Sequence, residues 1–320
     1  MILAGIDEAG YGPVLGPLVV GACAFEVPDT QESPDLWKRL KKVVSKNRSK
    51  SGRTLHVNDS KAVYSPSAGI KELERSVLAI SACLHDWPDD LDQFLKCVAS
   101  HAQSELAEHR WYVPGAVEKF PLEHEPMSIR IKANALRYEM EKTQTKCVHL
   151  SARVVSERPL NRMFDATRNK SNALFSIASI HIDELVRKFG KQKLTIFCDR
   201  QGGRAHYGPM LRQMFEDWLL EVTDESDGRS VYKLTQGEHD VVILFAEKAE
   251  SQSMSVAAAS MLCKYLREAL MARFNAFWGG HVPGVAPTAG YYNDGLRFLQ
   301  DIAHARTALG VADADLIRSR

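Results

Sequence analysis

Ile2-Leu3-Ala4-Gly5-Ile6-Asp7-Glu8-Ala9-Gly10-Tyr11-Gly12-Pro13 opens the chain with an apolar run, two adjacent carboxylates and a turn of Gly and Pro. The run has the length and character of a buried strand. Charge at the mouth of such a strand is costly to desolvate without a partner. Hard divalent cations are the usual compensation, because they take carboxylate oxygens as ligands. Working outward, Pro17–Val27 is a second apolar run, so residues 1–6 and 17–27 read as two strands of a hairpin across the Gly/Pro turn.

The same placement of acids recurs later. Lys193–Cys198 is a short apolar run that ends at Asp199, and Val241–Ala246 leads into Glu247-Lys248-Ala249-Glu250. Any one of these acids alone reads as a helix cap or a surface residue. Three repeats of one placement argue for a shared site, since open α/β sheets gather function at their strand ends. Converging carboxylates raise one another's pKa unless cations neutralise them. Asp7, Glu8, Asp199 and Glu250 are therefore candidate ligands for Mg²⁺ or Mn²⁺, which prefer carboxylate and water oxygens. Two such ions suit in-line phosphoryl displacement, one activating water and the other steadying the leaving oxygen.

Between these strands the periodicity predicts helices over 66–84, 169–189, 208–220 and 255–274, a strand over 148–157 and a turn at 223–230. Residues 85–147 read as mixed helical pieces without firm boundaries. Val256–Leu262 is small and apolar almost all round, the signature of a helix packed tightly on a sheet. The expected class is α/β: a mixed central sheet flanked by helices, with a helical C-terminal part from about 265 to 320.

Composition narrows the function classes. A formal net charge of +1 over 320 residues makes any nucleic-acid contact a local matter. One local patch is residues 37–53, with eight Lys or Arg and no acid, which read either as a solvated helix and loop or as a contact for phosphate backbone. The six cysteines form no CxxC pair, which speaks against zinc-finger chemistry and a disulfide framework. The eleven histidines show no metal-ligand spacing. No signal peptide is recognisable and no apolar run approaches the ~18 residues of a membrane span. A soluble, cytoplasmic protein without membrane contact is the expectation.

Asp7-Glu8-Ala9-Gly10-Tyr11-Gly12-Pro13, followed by Gly16-Pro17-Leu18-Val19-Val20, resembles the opening of the type 2 ribonucleases H, the ribonuclease HII family. Asn58-Asp59-Ser60-Lys61 is similar to that family's NDSK loop. Lys248-Ala249-Glu250-Ser251 with Ser255–Ser260 resembles its KGDS…SIAAAS segment, Lys264–Glu268 follows in order, and Gly290-Tyr291 resembles its late GY motif. The resemblance implies an RNase H-like fold in a single catalytic domain over 1–320, with insertions near 82–145 and 205–238. It implies divalent-metal cleavage of RNA paired with DNA, giving 5′-phosphate and 3′-hydroxyl ends. Carried across, Asp7, Glu8, Asp199 and Glu250 are both the catalytic and the metal residues. The implied partner is an RNA/DNA hybrid, or duplex DNA with embedded ribonucleotides.

The departures concern the substrate. Tyr11 stands where the family has an arginine, and tyrosine cannot form a charged fork to phosphate. Glu250 replaces the usual Asp, and the chain looks like a divergent branch. Substrate contacts are expected from Gly10, Tyr11, Gly12, Ser60, Lys61, Lys248 and Tyr291. Lys61 and Lys248 read equally as phosphate contacts and as structural ion pairs, Ser60 as a phosphate donor or a cap. Tyr291 reads as a wall for the ribose, where the 2′-hydroxyl marks RNA, or as a core aromatic. Arg200 and Arg204 are further candidates for phosphate. Two other functions fit the same residues: a nucleic-acid-binding protein without ribonuclease activity, and a metal nuclease acting on DNA structures.

Overall fold

Alternation along Ile2–Ala9 divides the first strand between two cores: Ile2, Ala4 and Ile6 join one, and Leu3 joins the other. In the computed structural model, residues 1–320 are described except 30–33, 66, 68, 116, 117, 202 and 320. Seven strands build the main sheet: β1 (Ile2–Ala9), β2 (Leu18–Glu26), β3 (Lys146–Val155), β4 (Leu194–Asp199), β5 (Leu219–Ser226), β6 (Arg229–Gln236) and β7 (His239–Ala246). Their order is β3-β2-β1-β4-β7-β6-β5. The central trio β1, β4 and β7 is parallel, and both flanks are antiparallel. Ile6 pairs with Cys198 and Cys198 with Phe245, so β1, β4 and β7 end together. That common end is where the sequence places its acids.

The helices that matter here are α1 (Lys71–Ser81), α2 (Leu91–Val98), α3 (Pro126–Lys142), α4 (Glu157–Thr167), α5 (Lys170–Phe189), α6 (Met254–His281) and α7 (Tyr292–Asp301). α5 starts at Asn169, whose side chain accepts from Asn172 N at 3.1 Å. A cap of this kind is worth ~1 kcal/mol. α5 lays Leu174, Ile177, Ala178 and Leu185 against Ile2, Ala4 and Ile6. α6 covers the opposite face, and its run Val256–Leu262 is wholly buried between β1 and the helices beyond. Gly5 makes this contact possible: a Cβ there would lie 2.1 Å from Val256 N. Backbone rests on backbone, which fixes the height of α6 over the end of β1.

The expected mixed sheet flanked by helices is present, as is the first hairpin. The strand expected over 148–157 spans Lys146–Val155, and the helix expected over 255–274 runs on to His281. The helix expected over 66–84 occupies Lys71–Ser81, with 66 and 68 outside the described residues. Residues 85–147 hold α2, α3 and a short helix Ala102–Ala107. Two expectations fail together. The helix over 208–220 stops at Met214, and the turn at 223–230 shrinks to 227–228 between β5 and β6. β5 is an edge strand paired on one side, so most of its residues face water and its polar, acidic sequence hides the strand pattern. The six cysteines are free thiols. Among the described residues no helix is long and apolar enough to cross a membrane.

Candidate metal centre and substrate cleft

Asp7 shares the β1 face of Leu3 and Gly5, so its side chain goes under α6 and is only 8% exposed. Its Oδ1 accepts from Glu8 N at 2.8 Å, and Cys263 Sγ on α6 lies 3.4 Å from its carbonyl oxygen. Asp199 closes β4, with Oδ1 accepting from Ala249 N at 3.2 Å. Glu250 stands in the helical turn Ala249–Gln252 that follows β7. Its Oε2 is buried and has no hydrogen-bond partner.

Burial acts on all four of these acids, and the charge of neighbouring carboxylates adds to it at Asp7, Glu8 and Glu250. Burial raises the Asp7 carboxyl well above its usual range, and the charges of Glu8 and Asp199 add to the rise. Glu8 is pushed up to about 8, first by burial and then by Asp199 and Glu250, while Lys61 opposes them. Burial also raises Asp199, against the N–H groups of Ala249 and Arg200. Glu250 rises through burial, with Asp199 and Asp59 adding to it. The four sequence-predicted acids thus form one electrostatic cluster at the end of the parallel strands.

A set of carboxylates that penalise one another, with one buried oxygen lacking any partner, fits a hard divalent cation. The acids do not pre-form a tight one-ion cage. Among the described residues, the one His/Cys/Asp/Glu group whose ligand atoms lie within 4.8 Å of one another is His149, His181 and Glu184, on the other face of the sheet.

Beside Glu8 opens a cleft of about 520 Å³ whose walls include Gly10, Tyr11, Gly12, Ser60, Lys61 and Tyr291. Gly10 has φ +89°, and a Cβ there would meet Pro17 O at 2.6 Å, so the turn requires glycine. Gly12 is different: nothing lies within 4 Å of its Cβ position, and space alone does not demand glycine. Ser60 is buried, and its hydroxyl accepts from Ser260 Oγ at 3.0 Å, which docks the 58–61 loop onto α6. Lys61 is exposed and close enough to Glu8, Asp199 and Glu250 to favour their charged forms. Tyr291 is 53% exposed on the cleft wall, which removes the core reading. Lys248 does not line the cleft; it is exposed, with φ 55°, before the turn that carries Glu250. Arg200 pairs with Glu247 at 3.0 Å and Arg204 bonds Asn172, so both face other partners.

The basic stretch 37–53 is likewise partly committed. Arg39 donates to Thr143 O, and Arg48 lies 3.6 Å from Glu72. Lys46 is the exception that reaches the site, donating to Ser251 O at 2.9 Å beside Glu250.

Sequence reading missed the side chains behind and beside the turn. Arg267, on α6, is buried; it donates to Pro17 O at 2.8 Å, Leu15 O at 3.1 Å and Ala289 O at 2.9 Å. Arg318 is 3% exposed and donates to Gly10 O and, at 3.2 Å, to Tyr11 O. Tyr64 and Lys264 both reach Glu268, at 3.0 and 2.6 Å, on the cleft wall. Ser260, Lys264 and Arg267 recur every three or four residues, a polar stripe in an apolar helix that offered a signal. Arg318 offered none, being 308 positions from Gly10.

No family model matches the chain. It is 32% identical over 82 residues to the ribonuclease HII of Gluconobacter oxydans, across 26% of this chain and 39% of that one. It is 50% identical over 48 residues to the ribonuclease HII of Methanocaldococcus jannaschii, across 15% and 21% respectively. The matches thus span well under two thirds of these relatives' lengths. Among solved structures, RNase HII in the PCNA:RNase HII complex from Archaeoglobus fulgidus aligns over 100% of this chain and 95% of that one, at 15% identity and a TM-score of 0.43. Bst-RNase HIII in complex with Mn²⁺ aligns over 99% and 66%, at 14% identity and a TM-score of 0.41. In sequence, the chain is similar to the type 2 ribonucleases H, as a divergent relative of ribonuclease HII.

Proposed function

We propose that the protein is a divalent-metal-dependent endonuclease that hydrolyses the RNA strand of RNA/DNA hybrids, leaving 5′-phosphate and 3′-hydroxyl ends. The observation that carries this reading is the cluster of Asp7, Glu8, Asp199 and Glu250, mutually destabilised and with one buried oxygen left without a partner. These four side chains would hold Mg²⁺ or Mn²⁺. Bound divalent ions supply Lewis acidity, lowering the pKa of water and stabilising the charge on a departing oxygen.

The chain's own residues do the rest. Lys61, exposed beside the acids, offers a cation to the phosphate that enters the cleft. Tyr291 presents an exposed ring to the sugar, and Tyr11 a second aromatic wall. Ser60, tied to Ser260, holds the loop that carries Lys61. Lys248, exposed just before the turn that carries Glu250, offers a further cation to the backbone phosphate beyond the cleft.

The test is a Mg²⁺- or Mn²⁺-dependent cleavage assay on an RNA/DNA hybrid, on a duplex with one embedded ribonucleotide and on all-DNA duplexes and junctions. Metal-dependent cutting of the hybrid on its RNA strand is the expected result. Binding of the hybrid without cleavage of any substrate, or cleavage confined to DNA, would overturn the reading.

A further inference from the structure

On the face of the sheet away from the acids, imidazoles gather at the β3 edge. His149 lies on β3, and His181 and Glu184 lie three residues apart on one side of α5. Their ligand atoms fall within 4.8 Å of one another. His149 is 6% exposed and His181 fully buried. Neither ring belongs to the cleavage site: Ser151 and His149 pair with Ala22 and Ala24 of β2, on the α5 face.

The hydrogen bonds fix one ring. His181 Nε2 stands 3.0 Å from Val20 O, and a carbonyl only accepts, so this nitrogen carries the proton. Nδ1 therefore keeps its lone pair, on the side where Ser151 Oγ lies at 3.3 Å. A ring nitrogen freed by a backbone carbonyl on the opposite nitrogen is the usual orientation of a metal-bound histidine. His149 Nε2 meets the same hydroxyl at 2.8 Å. Ser151 therefore donates its one proton to His181 Nδ1 and accepts from His149 Nε2, so an ion that displaced this hydroxyl would find His181 Nδ1 unprotonated, and His149 Nδ1 carries its ring's lone pair. A second cleft, of about 430 Å³, opens here between His85, His149 and Glu184, and His85 Nε2 is buried without a hydrogen-bond partner. Burial keeps His149 and His181 neutral, at about 4 and about 3, so no proton has to leave before coordination.

The surrounding charge selects the metal. Arg153 lies 3.7 Å from Glu184 Oε2, and Lys188 lines the cleft. Cations at this range oppose binding that relies on charge, as that of Mg²⁺ or Ca²⁺ does. Coordination by imidazole nitrogen tolerates them better, because it draws on donor strength. We propose that His149, His181 and Glu184, with His85 facing the same cleft, form a second metal site for a borderline transition ion of the Zn²⁺ class. Such an ion would tie α5 to the edge strand.

The probe is Co²⁺, titrated into chelator-treated full-length protein with Mg²⁺ in large excess to occupy the acidic site. One equivalent of Co²⁺ should bind and give a visible d–d absorption band, and Zn²⁺ should displace it. His149→Ala and the partly exposed Glu184→Gln should each weaken binding by about tenfold or more, while Asp7→Asn leaves the band in place. Glu184→Gln keeps the test decisive if the buried histidine variant fails to fold. Absence of the band in the wild-type protein, or a band indifferent to Glu184→Gln, would overturn the proposal.

Discussion

Asp7-Glu8 and Gly10-Tyr11 are neighbours in the chain, yet their electrostatic surroundings are opposite. The first pair holds buried negative charge among other carboxylates, relieved by the exposed Lys61. The second pair offers backbone carbonyls, both bound by the buried Arg318, and Arg267 packs directly behind Gly10. One stretch stays unsatisfied and the other is over-determined. This contrast suits a site that must take up cations beside a turn that must not move.

The sharpest way to break the contrast is to remove charge from the first pair. Asp7→Asn or Asp199→Asn should reduce hybrid cleavage on the order of a thousandfold, matching several kcal/mol of lost metal assistance. The same variants should melt no earlier than the wild-type protein in chelator, because each removes a buried repulsion. An active variant would separate these acids from the chemistry.

Next comes the second pair. Arg318→Ala should cost ~3 kcal/mol of stability, since it strips charge-assisted bonds from two carbonyls. In the activity assay it should raise KM for the hybrid more than it lowers kcat, with Arg318→Lys in between. Equal effects on both constants would show that the turn acts on the reacting atoms.

The effect confined to a pH window concerns Glu157, under the same turn. Its Oε1 accepts from Gly16 N at 3.0 Å and Tyr112 Oη at 2.8 Å, and its other oxygen is buried without a partner. Burial pushes its pKa up from 4.5 to about 7. A folded pKa above the unfolded one means that the folded state holds the proton more tightly. The resulting stability is complete below about 4.5 and is lost as pH rises through about 7. Glu157→Gln should therefore flatten the fall in stability between those values, by up to ~3 kcal/mol in denaturation curves at matched pH. An unchanged difference between wild type and variant across that window would place the titration elsewhere.

What the sequence makes legible follows from local regularity. β1, β4 and β7 are short apolar runs that end at acids, and α6 declares itself by Val256–Leu262. Burial on both faces leaves little room for other readings of such segments. The edge hairpin Leu219–Gln236 escapes because strands open to water tolerate charge, so Thr223–Ser230 reads as a turn. Arg318 and Glu157 escape for another reason. A lone charged residue is ordinarily exposed, and only distant contacts reveal these two as buried. His149 and His181 show the same limit, since their nearness depends on α5 crossing the β3 edge.

The register of β1 against β4 has a consequence for how this chain tolerates change. Ile6 sits opposite Cys198, and Asp7 lies one step beyond, on the α6 face. Side chains alternate, so inserting one residue within Ile2–Ile6 would keep a strand of nearly the same hydrophobicity and send Asp7 to the α5 side. The acids would no longer share a face, and a residue with a Cβ would take the place of Gly5 under Val256 N. Length between residues 2 and 7 is therefore held twice, by the chemistry of the acids and by the one position where α6 can rest on the strand.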